Sequence, residues 1–142
     1  EISNFALKGY ESKHNSRYWD LSPYIGIGAA AHSFFGDKRF NNICDAQQYM
    51  ELIENGESVI AYADDFPVKN RVGEYVMLKL RTSAGIDESY FEKKFKQSFQ
   101  PYGDKLKKYI ETGHVLYESG VYRLTPKGFF VSNAVIGDVL DV

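Results

Sequence analysis

The sequence predicts an α+β protein that is mainly helical after a strand-and-loop segment at its start. Three observations favour this class. From residue 45 onward, apolar residues recur at helical spacing in several segments. Two short β-type runs, Val115–Tyr117 and Val121–Leu124, flank Glu118–Gly120 and predict a β-hairpin. From residue 65 the predicted order is helix, helix, helix, hairpin, helix, which suits a winged-helix-like domain.

The first forty residues differ in texture from the rest. Tyr24–Gly28 followed by three alanines predicts a short buried strand, whose glycines allow close approach by another group. Ser12–Asp20 is polar and aromatic without a clear period, and we expect an ordered loop there. This segment has too little apolar mass to form a compact domain of its own.

Each expected helix combines an apolar stripe with a residue that starts or stops helices. The first carries Ala46, Tyr49, Met50 and Ile53 on one face and ends at Gly56. The second is opened by Asp65 and Pro67 and carries Val72, Val76 and Leu80 on one face. A short third helix runs from the N-cap Asp87 to about Phe95, and a fourth runs from Ser98 to Gly113. The final helix starts at Thr125–Pro126 and carries Phe129, Asn133, Ile136 and Leu140.

The composition excludes several classes of protein. The chain has 142 residues, a net charge of −2 and one cysteine. The charge does not indicate a strongly basic nucleic-acid surface, and one cysteine excludes an internal disulfide. No apolar run reaches the roughly 20 residues that span a bilayer, and no signal peptide is visible. The single cysteine is compatible with a reducing cytoplasm, where we expect the protein. Because the chain opens at Glu1 without a methionine, we interpret it as a piece of a longer protein.

A first candidate site is the cluster His14, Arg17, Tyr18 and Trp19. It could hold a flat anionic aromatic ligand, because imidazole can bind haem iron, rings can stack, and arginine can pair with propionates. The alternative is an ordered loop with Trp19 in the core and His14 in an ordinary hydrogen bond. The residues alone favour this alternative.

A second candidate is the segment that contains Gly28, Ala31 and His32. Its glycines could let the backbone approach a phosphate, but it matches the dinucleotide fingerprint poorly because Ala31 stands where the third glycine belongs. A tightly packed strand and a ligand-facing strand stay equally open.

A third candidate is the helix from Ser98 to Gly113, whose Lys105, Lys107 and Lys108 could face DNA as a recognition helix. Three lysines on one helix are more often a solvated face, and we expect no nucleic-acid binding. No serine or cysteine lies in a nucleophile motif and no carboxylate pair is indicated, so we predict no catalytic residue on this chain.

Taken in order, short motifs along nearly the whole chain resemble the oxygen-independent coproporphyrinogen III oxidase-like radical S-adenosylmethionine family. The motif His-Asn-x-x-Tyr-Trp at residues 14–19 is characteristic of its haem-chaperone branch. The remaining motifs are Glu1–Ala6, Tyr24–Gly28 with Ala31–Ser33, Leu80–Arg81 with Gly85–Asp87, and Arg123–Gly128 with Ser132–Asn133.

The resemblance implies a domain organisation and two sites. Residues 1–44 would be the end of a (β/α) barrel, and residues 45–142 the family's winged-helix-like C-terminal domain. His14, Arg17, Tyr18 and Trp19 become candidates for contact with haem or a porphyrin. Residues Gly28, Ala31 and His32 would line the S-adenosylmethionine pocket.

The chain departs from the family in one respect. The family holds a [4Fe–4S] cluster with a CxxxCxxC motif, and this chain has only Cys44. The resemblance therefore implies that the cluster and S-adenosylmethionine belong to the full-length protein and are not bound by this piece alone, which we expect not to be catalytic.

Three functions stay open at this point. The chain could belong to a haem chaperone that passes haem to a recipient protein. It could instead be the substrate-covering domain of a true coproporphyrinogen III dehydrogenase in porphyrin synthesis. It could also be a winged-helix module that binds DNA or protein. Apolar surface left by truncation could make it dimerise.

Overall fold

A computed structural model describes residues 1–142 as a mixture of helix and sheet, which confirms the predicted class at that level. The chain divides into two compact units. Unit 1 comprises Glu1–Leu21 and Arg71–Val142, and unit 2 comprises Ser22–Asn70. The expected domain boundary after residue 44 lies inside unit 2 and stays a prediction about the family's domains.

Helices and strands alternate along the chain. The helices are α1 (Lys13–Trp19), α2 (Ala46–Glu54), α3 (Val68–Leu80), α4 (Glu88–Phe95), α5 (Gln100–Glu111), α6 (Pro126–Phe130) and α7 (Ser132–Leu140). The strands are β1 (His32–Phe35), β2 (Lys38–Asn42), β3 (Ile60–Asp65), β4 (Ile86–Asp87), β5 (Val115–Glu118) and β6 (Val121–Leu124).

Unit 1 has a dense core in which aromatic rings meet. The ring of Phe91 is fully buried, and its centroid lies 5.0 Å from those of Phe95 and Phe99 and 5.8 Å from that of Tyr102. Strands β4, β6 and β5 form an antiparallel sheet in that order. Aliphatic side chains from the helices and this sheet are also buried: Val72, Val76, Leu80, Ile86, Leu106, Val115, Leu124, Val135 and Val139.

The helix starts in unit 1 follow the predicted chemistry, with one correction. The side chain of Asp87 accepts a hydrogen bond from the N–H of Tyr90, and that of Thr125 accepts one from the N–H of Gly128. The final helix is not continuous as expected. At Val131 the backbone leaves helical geometry (φ −117°), and its N–H bonds back to Gly128, which closes α6 before α7 begins.

Unit 2 is a three-stranded antiparallel meander, β1-β2-β3, with helix α2. The sequence does not predict this sheet, because its strands mix polar and apolar residues. In β3, for example, no residue is buried. Asp65, expected to open the second helix, is instead the last residue of β3, and α3 begins at Val68. Phe34 is the buried apolar side chain of this unit, and its ring packs edge-on against Phe66 at 5.7 Å.

Candidate functional site

The first candidate site lies on helix α1 of unit 1. The sequence analysis expected an ordered loop here, which is wrong: Lys13–Trp19 is helical, and the side chain of Ser12 caps it by accepting from the N–H of Asn15. Because no residue of this helix is fully buried, the helix needs no apolar stripe, and its sequence shows none. A short capped helix that lies at the surface therefore escapes a search for apolar spacing.

His14 and Tyr18 form a pair on one face of α1, one helical turn apart. The Tyr18 hydroxyl lies 3.0 Å from Nε2 of His14, and the two rings meet edge-on with centroids 5.2 Å apart. Arg17 is exposed in the last turn of the same helix. The structure thus brings together three of the four predicted haem-contact residues on an accessible surface.

Trp19, the fourth predicted residue, is half-buried and lies towards the body of unit 1. The guanidinium carbon of Arg81 lies 6.0 Å from its ring centroid, within the range of a cation–π contact. Each of the two alternatives from the sequence therefore holds in part. Trp19 packs against unit 1 and helps to hold the helix, whereas His14 is exposed.

The C-terminal end of α1 is attached to α3 and α4 through charged groups. The Lys79 ammonium, whose side chain is only 11% exposed, lies 2.7 Å from a carboxylate oxygen of Asp20. The Lys94 ammonium donates to the Asp20 carbonyl at 3.4 Å and lies over the rings of Tyr75 and Tyr90. Burial lowers the pKa of Lys94, and the nearby Asp20 carboxylate partly offsets this.

The second candidate site, in unit 2, is a loop rather than the buried strand expected at Tyr24–Gly28. Only Tyr24 pairs, through an isolated bridge to Phe34, and Ile25 and Ile27 are 57% and 89% exposed. The extended run stops because Gly28 and Ala30 have positive φ angles of 106° and 59°. We call residues Gly26–Ala31 the glycine loop.

The predicted pocket residues take up different positions around the glycine loop. Gly28 and Ala31 lie within it and are half-buried, whereas His32 begins β1 and is exposed. Gly26 is a site of close approach, because a Cβ there would lie 2.3 Å from the carbonyl oxygen of His32. At Gly28 a Cβ would meet nothing, so the backbone is open on that side.

Three side chains that the sequence analysis did not single out as site residues bind the loop backbone. Oγ of Ser33 accepts from the N–H of Gly26 at 3.0 Å. The Tyr49 hydroxyl accepts from the N–H of Gly28 at 3.3 Å, and Nδ2 of Asn42 donates to the Gly28 carbonyl at 2.8 Å. Ser33 was visible only as part of the Ala31–Ser33 motif and Tyr49 only as a member of an apolar helix stripe, whereas no sequence signal marked Asn42.

The third candidate, a DNA-recognition helix, loses support from its ion pairs. The three lysine ammonium groups of α5 lie 2.6 to 2.8 Å from carboxylates: Lys105 pairs with Asp141, Lys107 with Asp104 and Lys108 with Asp138. Such paired lysines are typical of a solvated helix face. They leave little unbalanced positive charge for phosphates.

Two further features concern metal ligands and membrane-spanning helices. No group of three or more histidine, cysteine, aspartate or glutamate side chains could hold a metal ion. Cys44 is a free, exposed thiol, and one thiolate does not fit the ligand set of an iron–sulfur cluster. None of the helices combines the length and the apolar character needed to cross a membrane.

Comparison with known proteins gives the class of this chain. Residues 66–131 match the family described as the HemN C-terminal domain. This match and the relatives described next support placing the chain in the HemN-like radical S-adenosylmethionine family, as the motifs had implied.

The similar proteins point to one branch of that family. The chain is 35% identical to the heme chaperone HemW of Bacillus subtilis over 99% of its own length and 37% of that protein. It is 33% identical to HemW of Lactococcus lactis over 95% of its length and 35% of that protein. The chain thus spans just over a third of the curated relatives that it matches.

A solved structure supports the fold. The Escherichia coli coproporphyrinogen III oxidase HemN, a radical SAM enzyme, matches 83% of this chain and 28% of its own chain with a TM-score of 0.59. At 17% identity this likeness concerns the fold alone.

Proposed function

We propose that the protein carrying this chain binds haem and transfers it to a recipient protein, and that helix α1 supplies part of the haem contact. The observation that carries this proposal is the 35% identity to a heme chaperone over 99% of the chain. The exposed His14, Arg17 and Tyr18 fit such a ligand, because they combine an imidazole, a guanidinium and a ring on one surface.

The candidate haem-contact residues of α1 would have separate roles. His14 would bind the iron through Nε2 after the Tyr18 hydroxyl releases that nitrogen. Arg17 would pair with a propionate carboxylate, as planar guanidinium groups do well. Trp19, being half-buried against Arg81, would mainly seat the helix and offer only the exposed part of its ring to the porphyrin.

The glycine loop would form one wall of the S-adenosylmethionine pocket of the full-length protein. Gly28, Ala31 and His32 are the residues proposed for this wall, and the open backbone at Gly28 allows close approach of a ligand. With the iron–sulfur cluster held elsewhere in the full-length protein, S-adenosylmethionine would supply radical chemistry. This chain would contribute one wall of that site and help to orient the cofactor.

Finer points of architecture and location also belong to this proposal. A winged-helix arrangement for unit 1 is supported by the element order α3-β4-α4-α5-β5-β6 and by the sheet order β4-β6-β5. Residues 1–44 would be the end of the barrel. A cytoplasmic location is consistent with the free thiol of Cys44. The recipient protein and self-association stay predictions, the latter testable by sedimentation.

A haem titration followed by visible absorption tests the proposal, with wild type beside His14→Ala and with His114→Ala as the matched control. We expect a saturable Soret shift that only His14→Ala loses. A shift that survives His14→Ala would remove His14 as the ligand. Decarboxylation of coproporphyrinogen III by the full-length protein would instead favour the enzyme, for which the HemN likeness supports only the fold.

A further inference from the structure

The buried polar side chains of unit 2 share one target. Ser33 is 2% exposed and Asn42 is 5% exposed, although both belong to strands of a thin sheet. Their side chains bond to Gly26 and Gly28 of the glycine loop rather than to a neighbouring strand. Burying a polar group is unfavourable unless it is hydrogen-bonded, so these residues are stable only while the loop keeps its shape.

Both polar groups of the Gly28 backbone are fixed. The Gly28 N–H donates to the hydroxyl of Tyr49 on α2, and the Gly28 carbonyl accepts from Asn42 at the end of β2. These two contacts set the peptide planes on either side of a residue with a φ angle of 106°. A glycine, which could otherwise take many conformations, is thereby held in one of them.

Backbone bonds dock the rest of the loop at the same place. The N–H of Asn42 donates to the Ala31 carbonyl at 2.9 Å, and the N–H of Ala30 donates to the Ile43 carbonyl at 2.8 Å. Asn42 also lies at the bulge where the register between β2 and β3 shifts. The skipped residue, Ala61, is on β3, because Asn41 pairs with Tyr62 and Asn42 pairs with Ile60.

Part of the loop is free to contact a ligand. Ile27 in the loop and Ile25 just before it are exposed, and a Cβ on Gly28 would meet no side chain or backbone beyond its chain neighbours within 4 Å. The loop therefore combines fixed backbone groups with an exposed, partly apolar surface. Preorganised backbone of this kind lowers the entropy cost of binding.

We infer that Ser33, Asn42 and Tyr49 are positioning residues that hold the glycine loop in the shape that receives S-adenosylmethionine. This inference rests on the proposed function, which places that ligand against Gly28 and Ala31. None of the three side chains needs to touch the ligand. Each acts through a backbone group of the loop.

The test uses the full-length protein that carries this chain, with its cluster loaded under anaerobic conditions. The variants are Asn42→Asp, which replaces the amide donor by an acceptor, and Tyr49→Phe, which removes the hydroxyl. The matched controls are Asn70→Asp at an exposed position of α3 and Tyr62→Phe on β3. S-adenosylmethionine affinity is measured by equilibrium dialysis, and amide hydrogen exchange is measured over residues 24–34.

We expect Asn42→Asp to weaken S-adenosylmethionine binding about tenfold or more and Tyr49→Phe about threefold, since one lost hydrogen bond has effects of this order. Exchange of the loop amides should become faster by similar factors. The controls should change neither quantity. Faster exchange with unchanged affinity would overturn the inference, because the side chains would then be merely structural.

A further variant, Ile27→Asp on the exposed surface of the loop, separates this inference from the proposal beneath it. If Ile27→Asp weakens binding and neither Asn42→Asp nor Tyr49→Phe does, the positioning role of Asn42 and Tyr49 is wrong, whereas the placement of S-adenosylmethionine at this loop is supported. If no variant weakens binding, the placement of S-adenosylmethionine at this loop is wrong, and the positioning role is wrong with it. Tyr49→Phe keeps the test decisive should Asn42→Asp not fold.

Discussion

The two compact units are stabilised by different means. Unit 1 buries a cluster of aromatic rings centred on Phe91 together with aliphatic side chains from its helices. Unit 2 buries one large apolar side chain, Phe34, and two polar ones, Ser33 and Asn42, whose hydrogen bonds fix a loop. Apolar packing therefore sets the framework of unit 1, whereas specific polar contacts set the shape of unit 2.

The largest expected effect is on the core of unit 1. Phe91→Ala should lower the free energy of unfolding by about 3–5 kcal/mol, because it removes a fully buried ring from a close-packed cluster and leaves a cavity. Denaturant unfolding followed by circular dichroism would measure this. The control Phe130→Ala removes a ring that is 93% exposed and should change little. Equal losses for both variants would contradict the packing described for unit 1.

A smaller loss is expected for the apolar residue of unit 2. Phe34→Ala should cost about 2–3 kcal/mol, because a thin sheet relaxes around the gap more readily than a dense core does. Hydrogen exchange should show lost protection in residues 22–70 and retained protection in residues 71–142. Loss of protection throughout the chain would contradict the separate stabilisation of the two units, since they would then unfold as one.

The ion pair between Asp20 and Lys79 in unit 1 should contribute less to stability than the apolar core does. Asp20→Asn removes the carboxylate that pairs with the nearly buried Lys79 but keeps a side-chain oxygen that can still accept. We expect a loss of about 1–2 kcal/mol in the free energy of unfolding, with faster exchange in α1. The control Asp104→Asn breaks the exposed pair with Lys107 and should have a clearly smaller effect. Similar losses from both would show that burial of Lys79 is irrelevant.

The smallest effect concerns the pH dependence of unit 1. Burial lowers the pKa of Lys94 below its ordinary value of 10.5, so the unfolded chain binds more protons than the folded one between the two pKa values. This group therefore destabilises the fold at neutral pH, and the penalty is relieved as the pH rises through the lowered pKa. Wild type should gain stability relative to Lys94→Met as the pH rises from the lowered pKa of Lys94 to its ordinary value of 10.5.

Lys107 provides the opposite case for this measurement. Its hydrogen bond to Asp104 raises its pKa, so its contribution to stability is present at neutral pH and is lost as the pH rises through the raised value. Lys107→Met should therefore give a slope of opposite sign to Lys94→Met. Parallel pH profiles for the two variants would contradict the different environments of the two lysines.

The same contrast between the units explains what could be predicted from the sequence. In unit 1 the apolar spacing and the caps at Asp87 and Thr125 predicted α3, α4, α5 and the hairpin close to where they lie. That information is local, because a helix stripe and its cap lie within a few residues.

In unit 2 the decisive contacts join residues far apart in the sequence. Asn42 lies 14 positions from Gly28, and Tyr49 lies 21 positions away. No local pattern distinguishes these side chains from surface residues, so the sheet and these contacts were missed. At the first candidate site the motif residues were identified from the resemblance, but the pairing of His14 with Tyr18 needed the helix that the sequence analysis did not expect.

That pairing also bears on which ring nitrogen of His14 carries the proton. A phenol hydroxyl that donates to Nε2 requires the neutral tautomer with its hydrogen on Nδ1. The lone pair of Nε2 is then already directed outward from the ring towards an electrophile, and no proton has to leave the imidazole when a metal takes that position. When the hydroxyl is the donor, Tyr18 would keep His14 in the tautomer that binding of iron through Nε2 requires.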